Sequence, residues 1–239
     1  MFEQKVTPIS RPQFWQSILG YFLLLTFVAA TPFSVSADEG NVFIDAKSAT
    51  QWAVLGPNGG DVRSIAIDPR DKNKIYISTM DGQVHRSTDA GKTWRLLTRF
   101  DIPLLTLDQL FVDRTDSNVI YASGHRGNLP GGFFRSVDGG TSWKESQELK
   151  NEAIHAMVQS EKDPKVLYVG SKTGIFVSEN SGEDWKKIES STMPLDINSM
   201  ALDPRNTNTL YAGTNWRPYK STDRGKNWRL IKSGMIDDS

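Results

Sequence analysis

An octapeptide of pattern Ser-x-Asp-x-Gly-x-x-Trp recurs four times in this chain, and that periodicity restricts the fold more than any other feature. The copies are Ser87, Asp89, Gly91 and Trp94; Ser136, Asp138, Gly140 and Trp143; Ser178, Asn180, Gly182 and Trp185; and Ser221, Asp223, Gly225 and Trp228. Their serines stand 49, 42 and 43 residues apart. A second marker, Tyr76, Tyr121, Tyr168 and Tyr211, keeps step at intervals of 45, 47 and 43. Eight residues ahead of three of these tyrosines is an aspartate (Asp68, Asp113 and Asp203), replaced in the third repeat by Ser160. Two markers in phase over most of the chain make a repeat architecture, in which each unit buries its apolar surface only against its neighbours.

Each repeat divides into four short apolar runs separated by turn residues; in the first they are Val62 to Ile67, Ile75 to Ser78, Val84 to Ser87 and Trp94 to Leu97. Repeats of this length with four strands describe the blades of a β-propeller, so the fold class is all-β. The expected blades cover about 56–98, 99–147, 148–190 and 191–232. Ile65, Leu110, Met157 and Met200 fall at equivalent places on the inner run and should pack between blades. The octapeptide has its own physical task. Its Ser and Asp side chains accept hydrogen bonds from nearby backbone N–H groups and fix a hairpin turn. Its Gly supplies a positive-φ position, and its Trp opens the outer strand with a large ring under the turn. Asn180 offers a similar acceptor, so all four copies read as structural. Gln51 to Leu55 resembles one more outer strand without a matching blade. That points to a partial propeller, with a four-blade closed ring or a ring shared by two chains as alternatives and self-association expected of an incomplete ring.

Ahead of the repeats, Lys5 and Arg11 precede the uncharged run Ile18 to Ala30, and Val35-Ser36-Ala37 offers small residues suited to signal peptidase. Residues 1–37 therefore read as a secretory signal peptide and 38–50 as a linker before the repeats of 51–239. The apolar run is shorter than the roughly 20 residues of a spanning helix, so membrane contact would come only from an uncleaved signal. The protein is expected to be secreted or periplasmic. With 28 basic and 28 acidic residues there is no basic surplus to attract nucleic acid. The lack of cysteine removes disulfides, thiol nucleophiles and zinc–thiolate sites.

The pattern Ser-x-Asp-x-Gly-x-x-Trp resembles the Asp-box, or bacterial neuraminidase repeat, and the resemblance covers about residues 50 to 232. Such boxes occur in sialidases, xyloglucan-active glycoside hydrolases, sortilin-type receptors and photosystem II assembly factors. The surrounding Gly59-Gly60, Ile67-Asp68-Pro69 and Ile75-Tyr76 resemble the exported bacterial group described as sortilin-like or photosystem-assembly-factor-like. The resemblance implies a fold that hosts catalysts, receptors and assembly factors alike. A sialidase would carry an Arg-Ile-Pro-type motif, which is absent here. A xyloglucan-active relative would set two aspartates in a cleft between two propellers, for which this chain is too short. Asp61, Asp81, Asp101 and Asp108 are available to glycoside hydrolysis, yet nothing in the sequence pairs them. His85, His125 and His155 are isolated along the chain and lack the spacing of a zinc motif, and the Asp-Pro-Arg turns at 68–70 and 203–205 lack a calcium loop's alternating oxygens. No catalytic residue, metal or cofactor is expected.

In a blade the 4→1 and 2→3 connections share one face, and the boxes, as 3→4 turns, lie on the other. A ligand is therefore expected on the former, the loop face. There the spacing from Tyr121 to Ser136 is 15, against 11, 10 and 10 elsewhere, and the extra residues include His125, Arg126 and Asn128. The matching segment of the fourth repeat, Asn215-Trp216-Arg217, sets an aromatic ring beside a cation. The expected function is a non-catalytic binding or assembly module for a protein or glycan, with a glycoside hydrolase or sialidase-like enzyme as the alternative.

Overall fold

A computed structural model describes residues 56–57 and 61–231; the signal segment, the linker, Gly59-Gly60 and the strand read at Gln51 to Leu55 lie outside the described residues. Sixteen strands form four antiparallel sheets, each in sequential order, and there is no helix among the described residues. Blade 1 comprises β1 (Val62–Ile67), β2 (Ile75–Thr79), β3 (Gln83–Ser87) and β4 (Arg95–Arg99). Blade 2 comprises β5 (Thr106–Val112), β6 (Ile120–Arg126), β7 (Leu129–Ser136) and β8 (Lys144–Glu145). Blade 3 comprises β9 (Ile154–Gln159), β10 (Leu167–Ser171), β11 (Gly174–Ser178) and β12 (Lys186–Lys187). Blade 4 comprises β13 (Ser199–Leu202), β14 (Leu210–Gly213), β15 (Pro218–Ser221) and β16 (Arg229–Leu230). The edge strands β1, β5, β9 and β13 lie side by side in chain order, which makes them the inner strands of a propeller arc.

The core sits between blades. Ala66, Tyr76 and Val84 of blade 1 pack on Leu110, Val112, Ile120, Ala122 and Phe134 of blade 2. Tyr121 and Phe133, on the opposite face of blade 2, pack on Met157, Leu167, Val169, Phe176 and Trp185 of blade 3. Ala156, Tyr168 and Ile175 pack in the same way on Leu210, Ala212 and Trp228 of blade 4. Tyr76, Tyr121 and Tyr168 of the tyrosine marker thus sit on the face each of the first three blades turns toward its successor. Leu110 and Met157 are buried and Met200 is partly buried, as the inner-run pattern predicts. Ile65 departs from it at 66% exposed, with Ile67 and Leu96 exposed beside it. In the matching register Leu110 gains about 2–3 kcal/mol from burial. Ile65 forgoes this because no preceding blade covers the leading face of blade 1 among the described residues.

The four boxes repeat one hydrogen-bond pattern. In each, the serine Oγ donates to the Asp or Asn side-chain oxygen at 2.7 to 2.9 Å and accepts from the glycine N–H at 2.8 to 2.9 Å. The residue before the glycine also has positive φ: Ala90, Ser181 and Arg224 at 60° and Gly139 at 71°. Its N–H donates to the 1→2 turn of the same blade, reaching Asn73, Lys165, Asn208 and Asn118 respectively, so the two turns of this face are tied together. The −8 aspartate serves that 1→2 turn. Asp113 accepts from Thr115, Asp116, Tyr121 Oη and Gln159, and Ser160 takes over the turn-capping part of this task in blade 3.

The third box inverts one contact. Thr93 Oγ1, Ser142 Oγ and Asn227 Nδ2 donate to the outer oxygen of their box aspartates, whereas Asn180 Nδ2 donates to Asp184 Oδ2 at 2.7 Å. Asn180→Asp, which restores the majority residue, would set two carboxylates against each other. It is expected to lower stability by about 1 kcal/mol, the scale of two like charges ~4 Å apart in water. Adding Asp184→Asn should recover the loss, and thermal denaturation of the single and double variants measures both.

Candidate functional site

The inner strands begin irregularly. The register shifts past Arg63 in β1, between Thr106 and Gln109 in β5, and past His155 in β9. When the blades are aligned on their pairings, Arg63, Asp108, His155 and Asn198 occupy one position, at the loop-face end of each inner strand. Because successive inner strands are neighbours, Arg63, Asp108 and His155 meet across blades rather than along the sequence. Of the six residues expected on the 2→3 connections, His125 and Asn215 are likewise equivalent, and each reaches the inner-strand residue of its own blade.

Asp108 is the hub. Arg63 Nε and Nη2 donate to its Oδ1 at 3.1 and 2.9 Å. Its Oδ2 faces His125 Nε2 at 2.9 Å and His155 Nδ1 at 3.4 Å, and the two imidazoles lie 4.4 Å apart. Burial alone would raise the Asp108 carboxyl. Hydrogen bonds from His155 and Arg63, with the charges of His125 and Arg63, outweigh burial and hold it below the usual carboxylate range. Two further contacts set the histidines: Gln109 Nε2 donates to the backbone oxygen of His155 at 2.8 Å, and His125 Nδ1 lies 2.8 Å from Gly127 O. In blade 4 the same pair of positions is uncharged, with Asn198 Nδ2 donating to Asn215 Oδ1 at 2.7 Å.

The insertion in blade 2 is an extended hairpin rather than a loop. His125 pairs with Pro130 and Arg126 with Leu129, leaving only Gly127-Asn128 as the turn. Arg126 Nε folds back to Pro130 O at 2.6 Å, and Asn128 is exposed at the tip. In blade 4, Thr214 closes a tight turn by accepting from Arg217 N–H on its Oγ1, which leaves Trp216 90% exposed and Arg217 exposed beside it. Blade 3 stands between the His125 and Trp216 groups. Other apolar side chains are exposed on the same face: Met80, Leu104 (84%, in left-handed backbone at φ 62°), Leu129 and Leu195. Met80 and Leu104 flank a shallow cleft of about 470 Å³ that also takes in Phe100, Ile102 and Pro103. The sixteen box residues are all spent on turns of the opposite face.

Comparison with known proteins agrees with this architecture. A family model described as Sortilin, neurotensin receptor 3 (Sortilin-Vps10) matches residues 131–237. The xyloglucanase Xgh74A of Acetivibrio thermocellus is 30% identical over 129 residues, which are 48% of this chain and 14% of that protein. The chain thus spans about one seventh of the length of that curated relative. Among solved structures, an ancestral GH74 enzyme aligns with TM-score 0.64 and 25% identity, over 78% of this chain and 26% of the other. YCF48 bound to D1 peptide aligns with TM-score 0.58 and 13% identity, over 76% of this chain and 56% of the other. The likeness to Asp-box propellers of the sortilin, GH74 and YCF48 kinds holds.

Proposed function

We propose that this chain is an exported, non-catalytic binding module whose loop face holds a protein segment or a glycan in the secreted or periplasmic space. The observation that carries the proposal is the display of Met80, Leu104, Leu129, Leu195 and Trp216, from different connections, exposed on that one face. Exposed apolar side chains collected on a face rimmed by polar groups mark interaction surfaces. Trp216 with Asn215 and Arg217 beside it supplies a flat ring for a sugar or side chain to stack on, and donors to fix its orientation. YCF48 with its bound D1 peptide, and the relatives named xyloglucanases, make peptides and xyloglucan oligosaccharides the ligand classes to try first.

A second reading, part of a xyloglucan-hydrolysing enzyme, is favoured by the xyloglucanase similarity and tested in the same experiment. The purified chain would be titrated with xyloglucan oligosaccharides and with a peptide library, while reducing ends are assayed. The expected result is saturable binding without sugar release, weakened about tenfold or more by Trp216→Ala or Leu104→Ser. Release of reducing ends that disappears in Asp108→Asn would replace the binding reading with the enzymatic one. Saturable binding unchanged in both surface variants would remove the loop face from consideration.

A further inference from the structure

We infer that Asp108, His125 and His155 form a binding site for one divalent transition-metal ion of the zinc class, a property independent of the loop-face ligand. The three side chains offer Oδ2, Nε2 and Nδ1, all within 4.8 Å of one another. The separation of 3.4 Å from Oδ2 to His155 matches adjacent ligands of one ion, and the 2.9 Å contact to His125 would open by about 0.4 Å to reach the same spacing. Zinc bonds of ~2.0–2.1 Å in a tetrahedron place ligand atoms about 3.3 Å apart. Two imidazoles and a carboxylate are the nitrogen and oxygen donors such ions take, and each is partly buried yet reachable from solvent.

The hydrogen-bond pattern gives an independent reason. With His125 Nδ1 2.8 Å from the Gly127 carbonyl, that nitrogen must carry a proton and donate it. Nε2, the other ring nitrogen, faces the carboxylate oxygen Oδ2 at 2.9 Å. An imidazole oriented by a backbone carbonyl through its other nitrogen is the usual outer support of a metal ligand. Arg63 completes the arrangement: its guanidinium occupies Oδ1 and leaves Oδ2 as the ligand atom. Three protein ligands leave a fourth position of a tetrahedral ion to water or a donor from outside.

The test uses the full, untagged chain, stripped with a chelator and titrated with Co²⁺ and separately with Zn²⁺. Cobalt should give visible absorption bands that saturate at one equivalent, and zinc should displace it and raise the melting temperature. His125→Ala and His155→Ala should each abolish the saturating component. His85→Ala should leave it intact, since His85 lies on β3 and belongs to no such cluster among the described residues. In case either cluster variant misfolds, chemical modification of the unaltered protein gives a second readout. Zinc should protect His125 and His155, but not His85, from an imidazole-acylating reagent. Overturning results are the absence of a stoichiometric cobalt spectrum in the folded protein, equal losses in all three histidine variants, or no selective protection.

Discussion

Replacing Gly124 by alanine is expected to lower the melting temperature by about 6–12 °C and to disturb the Asp108 cluster, because the new methyl group has no space. A Cβ there would stand 1.8 Å from Thr106 O, 2.8 Å from Thr106 C and 3.1 Å from Leu107 Cα, all of them backbone atoms. A flexible side chain could turn aside, but here β5 itself would have to move. It is the strand that carries Asp108, and Thr106 pairs with His125. Forced overpacking costs typically ~1–3 kcal/mol, and a clash with paired backbone belongs at the upper end or beyond. For a chain of this size each kcal/mol shifts the melting temperature by roughly 2–4 °C. Gly127→Ala in the same hairpin is the control. It meets no atom within 4 Å, and its φ of +64° adds only backbone strain, so about 1 kcal/mol is expected. Thermal scans of both variants decide the matter, and equal, small shifts would mean that β5 and β6 are not as closely apposed as described.

The same hairpin shows what could be read from the sequence and what could not. Its insertion was visible as an excess of residues between Tyr121 and Ser136, but the glycines that make it a hairpin were not. A Cβ on Gly131 would lie 2.5 Å from His125 N and 2.6 Å from Gly124 O, so β7 pairs closely with β6 there only because Gly131 lacks a side chain, as Gly124 does on the side toward β5. The blades were legible because the box and the tyrosine marker repeat along the chain, and the first blade's β1 coincides with the expected run from Val62 to Ile67. Ile65 was misplaced for a physical reason: sequence equivalence assigns a residue to a face, while burial depends on whether a neighbour covers it.

The Asp108 cluster was missed because its chemistry is written across repeats. Arg63, Asp108, His155 and Asn198 recur at intervals of 45, 47 and 43, the same as the tyrosine marker. One position holds a cation, a carboxylate, an imidazole and an amide in turn, so no motif search finds it. Stacking the repeats in register before looking for ligand sets would have placed Asp108 next to His155. His125 then joins through β6 of the same blade.

The stability of the chain is expected to decline gently below the ordinary histidine range, where burial lowers His85, and most steeply between about pH 5 and 2. Three box aspartates, Asp89, Asp138 and Asp223, have carboxyls held at about 2, chiefly by side-chain hydrogen bonds from Thr93, Ser142 and Asn227 respectively. Unfolded, an aspartate titrates near ~3.9. A carboxyl lowered by folding stabilises the native state fully above its unfolded value. That contribution fades as pH falls through the folded value, because the unfolded chain takes up the proton first. The three boxes titrate in the same window, so their losses add, whereas the third box keeps the neutral Asn180 and loses nothing there. In the triple variant Asp89→Asn, Asp138→Asn, Asp223→Asn, every box resembles that one. It should be less stable than the parent at neutral pH, and its stability should decline less between pH 4 and 2. The decline that remains belongs to Asp81, Asp108, Asp113 and Asp203, whose carboxyls are also lowered. Urea midpoints measured across this range for parent and variant give the comparison. Parallel curves would show that the boxes hold their turns without their charge and would move the acid sensitivity to the inner-strand and 1→2 turn carboxylates.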